Sequence, residues 1–268
     1  MRLHELVLRH GDLPRHEVER LLTAATGRSR SDLLVGVDTT DTEMSTFEAF
    51  VQRRLAHEPL QYIEGSVPFG LVEIDVDARV LVPRPETEYL LELVSERAKD
   101  PKMIVDLCTG SGNLALALKA VFPDADVYAT DLSPDAVAVA RGNALKNDLS
   151  VSVLEGNLFD PLPESLRGKV DLLVANPPYL AESELADLPA DVLNEPKMAL
   201  VSGPGGDELV REIAERLGTW VRPGGIVGVE VSEFHAAAVV EFFSGIDGKV
   251  VKDLSGRERF VLGMSPVE

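Results

Sequence analysis

The sequence predicts an α/β protein with a doubly wound, mostly parallel sheet and a small N-terminal helical domain joined to it by a β-hairpin. Three observations indicate this fold. From about residue 84 onward, short apolar runs alternate with helical stretches of roughly 10–15 residues, which is the pattern of a parallel sheet. A glycine-rich turn follows an early apolar run of this region. Residues 1–64 show helical periodicity alone, so no strand is expected there.

The N-terminal domain is predicted to span residues 1–64. Apolar residues recur at helical spacing in three segments, HEVERLLTAATG, SRSDLLVG and STFEAFVQRRLAHEPL. Gly27 is expected to end the first helix. Ser45 is the predicted N-cap of the third helix, and Pro59 lies beyond its end.

The segment 65–83 is predicted to be a β-hairpin that links two domains. Its residues alternate and are rich in β-branched side chains, with turn residues at Phe69-Gly70 and at Asp77. The second domain then covers residues 84–268. Its strands are expected at 103–107, 126–130, 151–156, 170–176, 226–231, 249–253 and 259–263, and its helices at 114–122, 133–147, 207–220 and 233–243. Ser133 and Pro134 form the predicted start of the helix at 133–147.

Composition and charge narrow the classes of function. The formal net charge is −19, of which residues 1–65 carry −3 and the rest −16. A surface this acidic repels a phosphate backbone, so we expect no nonspecific contact with nucleic acid. The negative charge would suit a basic protein partner. The alternative is that the charge serves solubility alone. No apolar run approaches the ~20 residues that span a bilayer, and no signal core opens the chain, so a cytoplasmic protein without membrane contact is expected. Cys108 is the single cysteine, which excludes an internal disulfide.

The stretch DLCTGSGNLALAL at 106–118 places a glycine loop between a strand and a helix. Gly110, Gly112 and Ala115 satisfy G-x-G-x-x-A, and Asp131 follows at the end of the next strand. This is the fingerprint of a dinucleotide site, and taken alone it indicates NAD.

Asp106, directly before this loop, favours a different cofactor. A carboxylate there would face a pyrophosphate, and two like charges a few Å apart repel each other. S-adenosylmethionine carries an ammonium and a sulfonium and no phosphate, so Asp106 would attract it. Asp131 would then accept hydrogen bonds from both ribose hydroxyls. In the next polar loop, Leu158 would pack on the adenine ring and Asn157 would reach the edge of the ring.

The stretch Asn176-Pro177-Pro178-Tyr179 ends a predicted strand, at the edge of the sheet where ligands bind. A planar nitrogen is a poor nucleophile, because its lone pair is delocalised. The side-chain carbonyl of Asn176 and the backbone carbonyl of Pro177 could accept hydrogen bonds from such a nitrogen, while the two prolines stiffen the turn and Tyr179 packs on the flat target. No general base is evident, so proton loss to water is assumed. The alternative is a turn that merely ends a strand.

The chain resembles the release factor glutamine methyltransferases over nearly its whole length. The segments that carry the resemblance are RRLAHEPLQYIEG (53–65), VLVPRPETE (80–88), DLCTGSGNLALAL, NPPY, EPKMAL (195–200) and DLSGRERFV (253–261). The resemblance implies a Rossmann-like methyltransferase sheet, with S-adenosylmethionine as cofactor and S-adenosylhomocysteine as product. It also implies a protein substrate, the glutamine of the Gly-Gly-Gln motif of class I peptide chain release factors, and so a role in translation termination.

The resemblance also implies roles for individual residues. It supports Cys108–Gly112, Asp131 and Leu158 among the residues predicted to bind the cofactor, which are Asp106, Cys108, Thr109, Gly110, Ser111, Gly112, Asp131, Asn157, Leu158 and Asn176. Asn176, Pro177, Pro178 and Tyr179 would hold the substrate glutamine, and residues 1–64 would grip the release factor. We expect a monomer without a metal site.

The chain departs from the family pattern in places, and other functions remain open. Cys108 stands where glycine is common, and the stretches at 201–208 and 231–238 differ from the usual ones. A DNA adenine methyltransferase would use the same acceptor pair on a flipped base, but it would need a basic groove. A non-catalytic protein that binds S-adenosylmethionine and a partner is the other alternative.

Overall fold

The computed structural model describes residues 3–35 and 38–267, which fold as two compact units. One unit comprises the described residues up to Ser66 together with Pro189–Asn194. The other comprises Val67–Leu188 and the residues from Glu195 onward. Within the described residues, no helix combines the length and the apolar character required to cross a membrane.

The described residues of the first unit form the α-helices α1 (Leu3–Arg9), α2 (Arg15–Thr26), α3 (Arg30–Val35), α4 (Asp41–Leu55) and α5 (Leu60–Glu64). Their apolar faces enclose one core, with Leu21, Phe47 and Val51 fully buried at its centre. Gly27 ends α2 with a left-handed φ of 64°, as predicted.

The predicted N-cap at Ser45 is wrong, because α4 begins five residues earlier than that cap implies, at Asp41. Thr40 is the N-cap, and its hydroxyl accepts a hydrogen bond from the backbone N–H of Glu43 at 3.2 Å. In return, the Glu43 carboxylate accepts from the Thr40 N–H at 2.7 Å. This reciprocal capping box satisfies two N–H groups at the start of the helix.

The segment Pro189–Asn194 packs with the helices of the first unit through polar contacts. The Arg54 guanidinium pairs with Glu17 at 2.7 Å and reaches Asp191 at 3.5 Å. The side-chain amide of Asn194 donates to the carbonyl of His57 at 2.8 Å. These bonds attach a stretch from far along the chain to α2 and to the end of α4.

The strands of the chain are β1 (Ser66–Phe69), β2 (Val72–Asp75), β3 (Met103–Leu107), β4 (Asp126–Asp131), β5 (Ser152–Glu155), β6 (Val170–Ala175), β7 (Leu180–Ala181), β8 (Val201–Gly203), β9 (Val221–Glu230), β10 (Lys249–Lys252) and β11 (Glu258–Met264). The helices of the second unit are α6 (Pro85–Arg97), α7 (Asn113–Val121), α8 (Pro134–Lys146), α9 (Lys197–Leu200), α10 (Glu208–Trp220) and α11 (Ala236–Val239). The helix predicted at 233–243 is instead α11 followed by a 3-10 helix at Val240–Ile246.

The predicted hairpin is confirmed as β1 and β2, although it ends at Asp75 and the chain has no further strand before residue 83. Asn143 on α8 accepts from the Asp75 N–H at 2.8 Å and donates to the Asp75 carbonyl at 3.0 Å. Asn147 bonds in the same way to the backbone of Glu73. The two side-chain amides therefore occupy backbone groups that a strand partner would otherwise pair.

Seven strands form the central sheet in the order β10-β11-β9-β6-β3-β4-β5. The five strands from β9 to β5 are parallel, and β11 and β10 add two antiparallel strands at one edge. This arrangement confirms the predicted doubly wound α/β fold. The chain winds from β3 to β4 and β5, then crosses back to β6 on the other side of β3, so the strand order reverses between β3 and β6. A ligand crevice is expected at the carboxyl ends of these strands.

Candidate active site

A cavity of about 330 Å³ opens at the carboxyl ends of β3, β4 and β6. Ten of the residues predicted for the site line it: Asp106, Cys108, Thr109, Gly110, Ser111, Asp131, Asn157, Leu158, Asn176 and Pro178. Gly112, Pro177 and Tyr179 do not line the cavity. Its volume lies in the range of small-molecule sites.

The loop after β3 adopts a conformation that depends on left-handed backbone angles. Cys108 has a φ of 57° and Gly110 a φ of 55°. A side chain at positive φ is strained, which gives a physical reason why glycine is common at the Cys108 position in the family that the sequence resembles. Gly112, with a φ of 84°, serves packing: a Cβ there would lie 3.1 Å from the Cβ of Ala140 on α8.

Asp106 is buried at the end of β3, with 1% of its surface exposed. One carboxylate oxygen, Oδ2, accepts from the Thr109 hydroxyl at 2.6 Å and from the backbone N–H of Ala115 at 3.1 Å. The other oxygen, Oδ1, has no hydrogen-bond partner among the described residues. Burial raises the pKa of Asp106 to about 7. A cationic ligand in the cavity would supply the partner that Oδ1 lacks.

Asp131 at the end of β4 connects the cavity wall to the glycine loop. Its Oδ2 accepts from the Gly110 N–H at 2.8 Å, and its Oδ1 accepts from the Ser133 N–H at 2.9 Å. Burial raises the pKa of this carboxyl group. Each oxygen of a carboxylate can accept two hydrogen bonds. Asp131 can therefore still accept hydrogen bonds from the two hydroxyls of a diol in the cavity.

The loop after β5 supplies an apolar wall. Leu158 is 3% exposed and has a left-handed φ of 45°, which turns the loop beside the cavity. The side-chain nitrogen of Asn157 donates to Glu212 at 3.2 Å, so its carbonyl oxygen is the atom left for a ligand.

Asn176 directly follows β6, and its amide group is held from one side. The nitrogen Nδ2 donates to the hydroxyl of Thr87 at 3.1 Å. Thr87 lies in the first turn of α6 and in turn donates to Oε2 of Glu230 at 2.8 Å. The carbonyl oxygen of Asn176 therefore remains available at the cavity.

Glu230 ends β9, the strand beside β6, so it stands level with Asn176 at the same edge of the sheet. It is 1% exposed, and burial raises its pKa to about 7. Its Oε1 accepts from the Tyr179 hydroxyl at 3.2 Å. Burial and this carboxylate raise the pKa of Tyr179, whose ring lies 5.7 Å from the Arg259 guanidinium carbon.

Sequence reasoning missed Thr87 and Glu230. A usable signal existed for each of them. Thr87 lies within PRPETE, whose proline and acids are typical of the start of a helix, where hydroxyls bond outward or to backbone groups. Glu230 ends an apolar strand, which is the position where polar side chains of a parallel sheet meet a ligand crevice.

Glu195, which is 5% exposed, joins two further segments of the chain that line the cavity. Its carboxylate accepts from the Val82 N–H at 2.9 Å and pairs with the Arg84 guanidinium. The bonds fasten the stretch 80–84 to the stretch 195–199, and both stretches line the cavity. The segments quoted above as VLVPRPETE and EPKMAL are thus neighbours in space.

Comparison with known proteins identifies the family. Residues 84–207 match the model of the "Methyltransferase small domain", and residues 4–65 match the "PrmC N-terminal domain". The release factor glutamine methyltransferase of Mycolicibacterium smegmatis is 39% identical to this chain, over 92% of the chain and 89% of that protein. The enzyme of the same name from Deinococcus radiodurans is 41% identical over 79% of this chain and 76% of that protein. The chain belongs to the release factor glutamine methyltransferase family.

Among solved structures, a methyltransferase from Pyrococcus furiosus has a similar fold. It superposes with a TM-score of 0.56 at 20% identity, over 83% of this chain and all of that protein. As a member of the release factor glutamine methyltransferase family, the chain is an S-adenosylmethionine-dependent enzyme. The cavity fits this cofactor, since the unpaired Oδ1 of Asp106 and the unpaired hydroxyl of Ser111 are buried polar atoms in its lining.

Proposed function

We propose that this enzyme methylates the side-chain amide nitrogen of the glutamine in the Gly-Gly-Gln motif of class I peptide chain release factors, and so modulates translation termination. The observation that carries the proposal is the amide of Asn176. Its nitrogen is held by Thr87, which leaves its carbonyl oxygen at the cavity as an acceptor for an N–H group. The names of the curated relatives point to the same substrate.

The substrate amide would be held by two acceptors. The carbonyl oxygen of Asn176 and the backbone carbonyl of Pro177 each accept one N–H of the glutamine amide. Pro177 and Pro178 keep the turn stiff, because proline fixes φ. This arrangement orients the nitrogen lone pair toward the reacting carbon, and positioning of this kind can supply several kcal/mol of the barrier.

When bound, the cofactor would supply an electrophilic methyl group on a sulfonium, and transfer of this group to the amide nitrogen would leave a thioether. Asp106 would pair with the cationic amino-acid end of this cofactor through its free oxygen. Asp131 would accept from the two ribose hydroxyls. Leu158 would pack on the adenine, and Asn157 would bond to its edge. The methylated amide then loses one proton to water.

Cys108, Thr109, Gly110 and Ser111 would surround the cofactor through their backbone and small side chains, since all four line the cavity. Gly112 would act indirectly, by allowing α7 and α8 to approach each other. Tyr179 would support the substrate pocket through its bond to Glu230.

The partner would be recognised by the helical domain, for which we propose residues 1–64, followed by the hairpin linker 65–83 and the methyltransferase domain 84–268. We propose a cytoplasmic monomer that acts on a protein without contacting nucleic acid or membrane. The formal charge of −19 supports a basic protein surface as partner and disfavours a phosphate backbone.

The test is methylation of a release factor by the purified enzyme and labelled S-adenosylmethionine, followed by mass spectrometry of the Gly-Gly-Gln peptide. We expect one added methyl group on the glutamine of the motif. A release factor whose motif glutamine is replaced by alanine serves as the control and should accept none. Incorporation into plasmid DNA but not into release factor would instead support a DNA adenine methyltransferase.

The enzyme variant Asn176→Ala tests the site itself. We expect it to bind S-adenosylmethionine but to lose most of its transfer rate, because one of the two acceptors for the substrate amide is gone. Equal incorporation by the wild type and Asn176→Ala would contradict the role given to this residue.

A further inference from the structure

We propose that Thr87 and Glu230 are positioning residues that determine which atom of the Asn176 side-chain amide faces the substrate. This inference rests on the proposed function, because it concerns how the acceptor for the substrate amide is presented. Neither residue touches the reacting atoms in this scheme, and both act through Asn176.

Positioning residues are needed here because the two ends of an asparagine side-chain amide have nearly the same shape. Its oxygen and its nitrogen are nearly the same size, and a half-turn of the amide exchanges them. With the oxygen toward the substrate, Asn176 accepts an N–H. With the nitrogen toward the substrate, it presents a donor to another donor, and the glutamine amide is repelled. The packing of neighbouring atoms distinguishes the two orientations poorly, so hydrogen bonds must set the correct one.

The hydrogen bonds from Asn176 to Thr87 and from Thr87 to Glu230 set this orientation, and they depend on the negative charge of Glu230. Above its pKa of about 7 the Glu230 carboxyl group is ionised, and an ionised carboxylate can only accept hydrogen bonds. The Thr87 hydroxyl, 2.8 Å from Oε2 of Glu230, must therefore donate its single hydrogen to that oxygen. The Thr87 oxygen can then offer only a lone pair to Asn176, and this lone pair accepts a hydrogen from Nδ2 at 3.1 Å. The donor end of the amide is thus drawn inward, and the acceptor end is left at the cavity.

The second carboxylate oxygen of Glu230 also accepts a hydrogen bond, in this case from Tyr179, the last residue of the motif. Oε1 accepts from the Tyr179 hydroxyl at 3.2 Å, so one carboxylate connects to both the first and the last residue of Asn176-Pro177-Pro178-Tyr179. The Arg259 guanidinium lies close enough to favour the ionised form of Glu230, while Glu86 opposes it. Thr87 and Glu230 are each 1% exposed, so water does not compete for these bonds.

A matched pair of substitutions at Thr87 tests the inference. Thr87→Val keeps the shape and removes the hydroxyl, whereas Thr87→Ser keeps the hydroxyl and removes a methyl group. We expect Thr87→Val to lower kcat roughly 10- to 100-fold, the range for a buried group left without its partner. Thr87→Ser should restore most of that rate. The affinity for S-adenosylmethionine should fall less than kcat in both variants, because Thr87 lines the cavity but is proposed to act on the substrate through Asn176.

The pair Glu230→Met and Glu230→Gln tests the carboxylate. Methionine offers no acceptor, so the Thr87 hydroxyl is free to donate to the Asn176 oxygen and to turn the amide the wrong way. Glutamine can place its carbonyl oxygen toward Thr87 and its NH₂ toward the Tyr179 oxygen, which preserves the direction of the chain. We therefore expect Glu230→Met to lose more of kcat than Glu230→Gln. Equal losses in the two variants at equal melting temperature would overturn the role of Glu230.

A readout without substrate separates this inference from the proposed function. The side-chain NH₂ signal of Asn176 in a ¹H–¹⁵N spectrum is assigned by its disappearance in Asn176→Ala. We expect this signal to shift and its hydrogens to exchange faster with solvent in Thr87→Val, and to stay near the wild-type position in Thr87→Ser. An unchanged, protected signal in Thr87→Val would overturn the inference. A wild-type enzyme that shows the protected signal but never methylates a release factor would overturn the proposed function alone.

Discussion

The Asp131 carboxylate accepts a hydrogen bond from the backbone N–H of Gly110 at 2.8 Å, so the end of β4 holds the glycine loop that follows β3. The same carboxylate is the proposed partner of the ribose hydroxyls. One side chain thus shapes the glycine loop and is also the proposed contact of the cofactor, so a substitution there should remove both effects.

We expect Asp131→Ala to weaken S-adenosylmethionine binding by at least about a hundredfold, because two hydrogen bonds to a carboxylate are lost, each contributing about 1.5–3 kcal/mol. Isothermal titration calorimetry measures the change. Asp126→Ala is a matched control, because it removes the same charge from the exposed start of the same strand. Unchanged affinity in Asp131→Ala would refute the ribose assignment.

The pKa of Asp106, raised by burial to about 7, predicts a pH dependence of cofactor binding. Below that pH the carboxyl group is protonated in the free enzyme and does not attract the cofactor ammonium. Binding of a cation favours the ionised form, so affinity should rise with pH, by at most about tenfold per unit, until the group is ionised.

Calorimetry between about pH 5.5 and 7.5 tests this dependence, and Asp106→Asn is the control. The asparagine variant should bind more weakly and lose most of the slope. Any slope that remains would point to Asp131, whose pKa burial also raises. A slope of full wild-type size in Asp106→Asn would assign the titration to another group.

The left-handed backbone at Cys108 predicts how this position tolerates substitution. Cys108→Gly relieves the strain of a side chain at positive φ but gives up its packing against the core, so we expect the free energy of unfolding to change by less than about 1 kcal/mol. Cys108→Val places a β-branched residue there and should destabilise the protein more than Cys108→Gly. Chemical denaturation measures both, and a Val variant as stable as the Gly variant would contradict the argument.

Phe47 is fully buried in the core of the helical unit, so Phe47→Ala should destabilise that unit by about 3–5 kcal/mol. If this unit recognises the release factor, methylation should fall while S-adenosylmethionine binding persists. Leu8→Ala provides the control, since Leu8 is 69% exposed on the same unit and should leave the melting temperature nearly unchanged. Unimpaired methylation by a destabilised Phe47→Ala variant would argue against partner recognition by the helices.

The parts of the site that the sequence predicted are those carried by short motifs. The glycine loop, Asp131 and Leu158 each follow a strand of a parallel sheet, and parallel strands bring their carboxyl ends to one edge. Periodicity alone was therefore enough to place them around one cavity. The start of α4 could not be read in this way, because Thr40–Glu43 and Ser45–Glu48 both have capping-box spacing, and only the structure shows that the box forms at Thr40.

The parts that escaped prediction depend on pairing between distant residues. The bond from Asn176 to Thr87 joins positions 89 apart, and the bond from Thr87 to Glu230 joins positions 143 apart. No local pattern specifies such a partner, since many hydroxyls and acids are compatible with the same helix start or strand end. The sequence also gave no sign that Glu230 would be buried beside a tyrosine hydroxyl.

The carboxylate of Glu195 has a consequence for engineering the cavity. It fastens the stretch 80–84 to a stretch 111 residues further along the chain, and both stretches form the same wall. Replacing the stretch 80–84 by one that lacks an arginine at position 84 would remove the guanidinium that pairs with the buried Glu195 carboxylate. To reshape this side of the cavity for larger cofactor analogues, the two stretches must therefore be exchanged together.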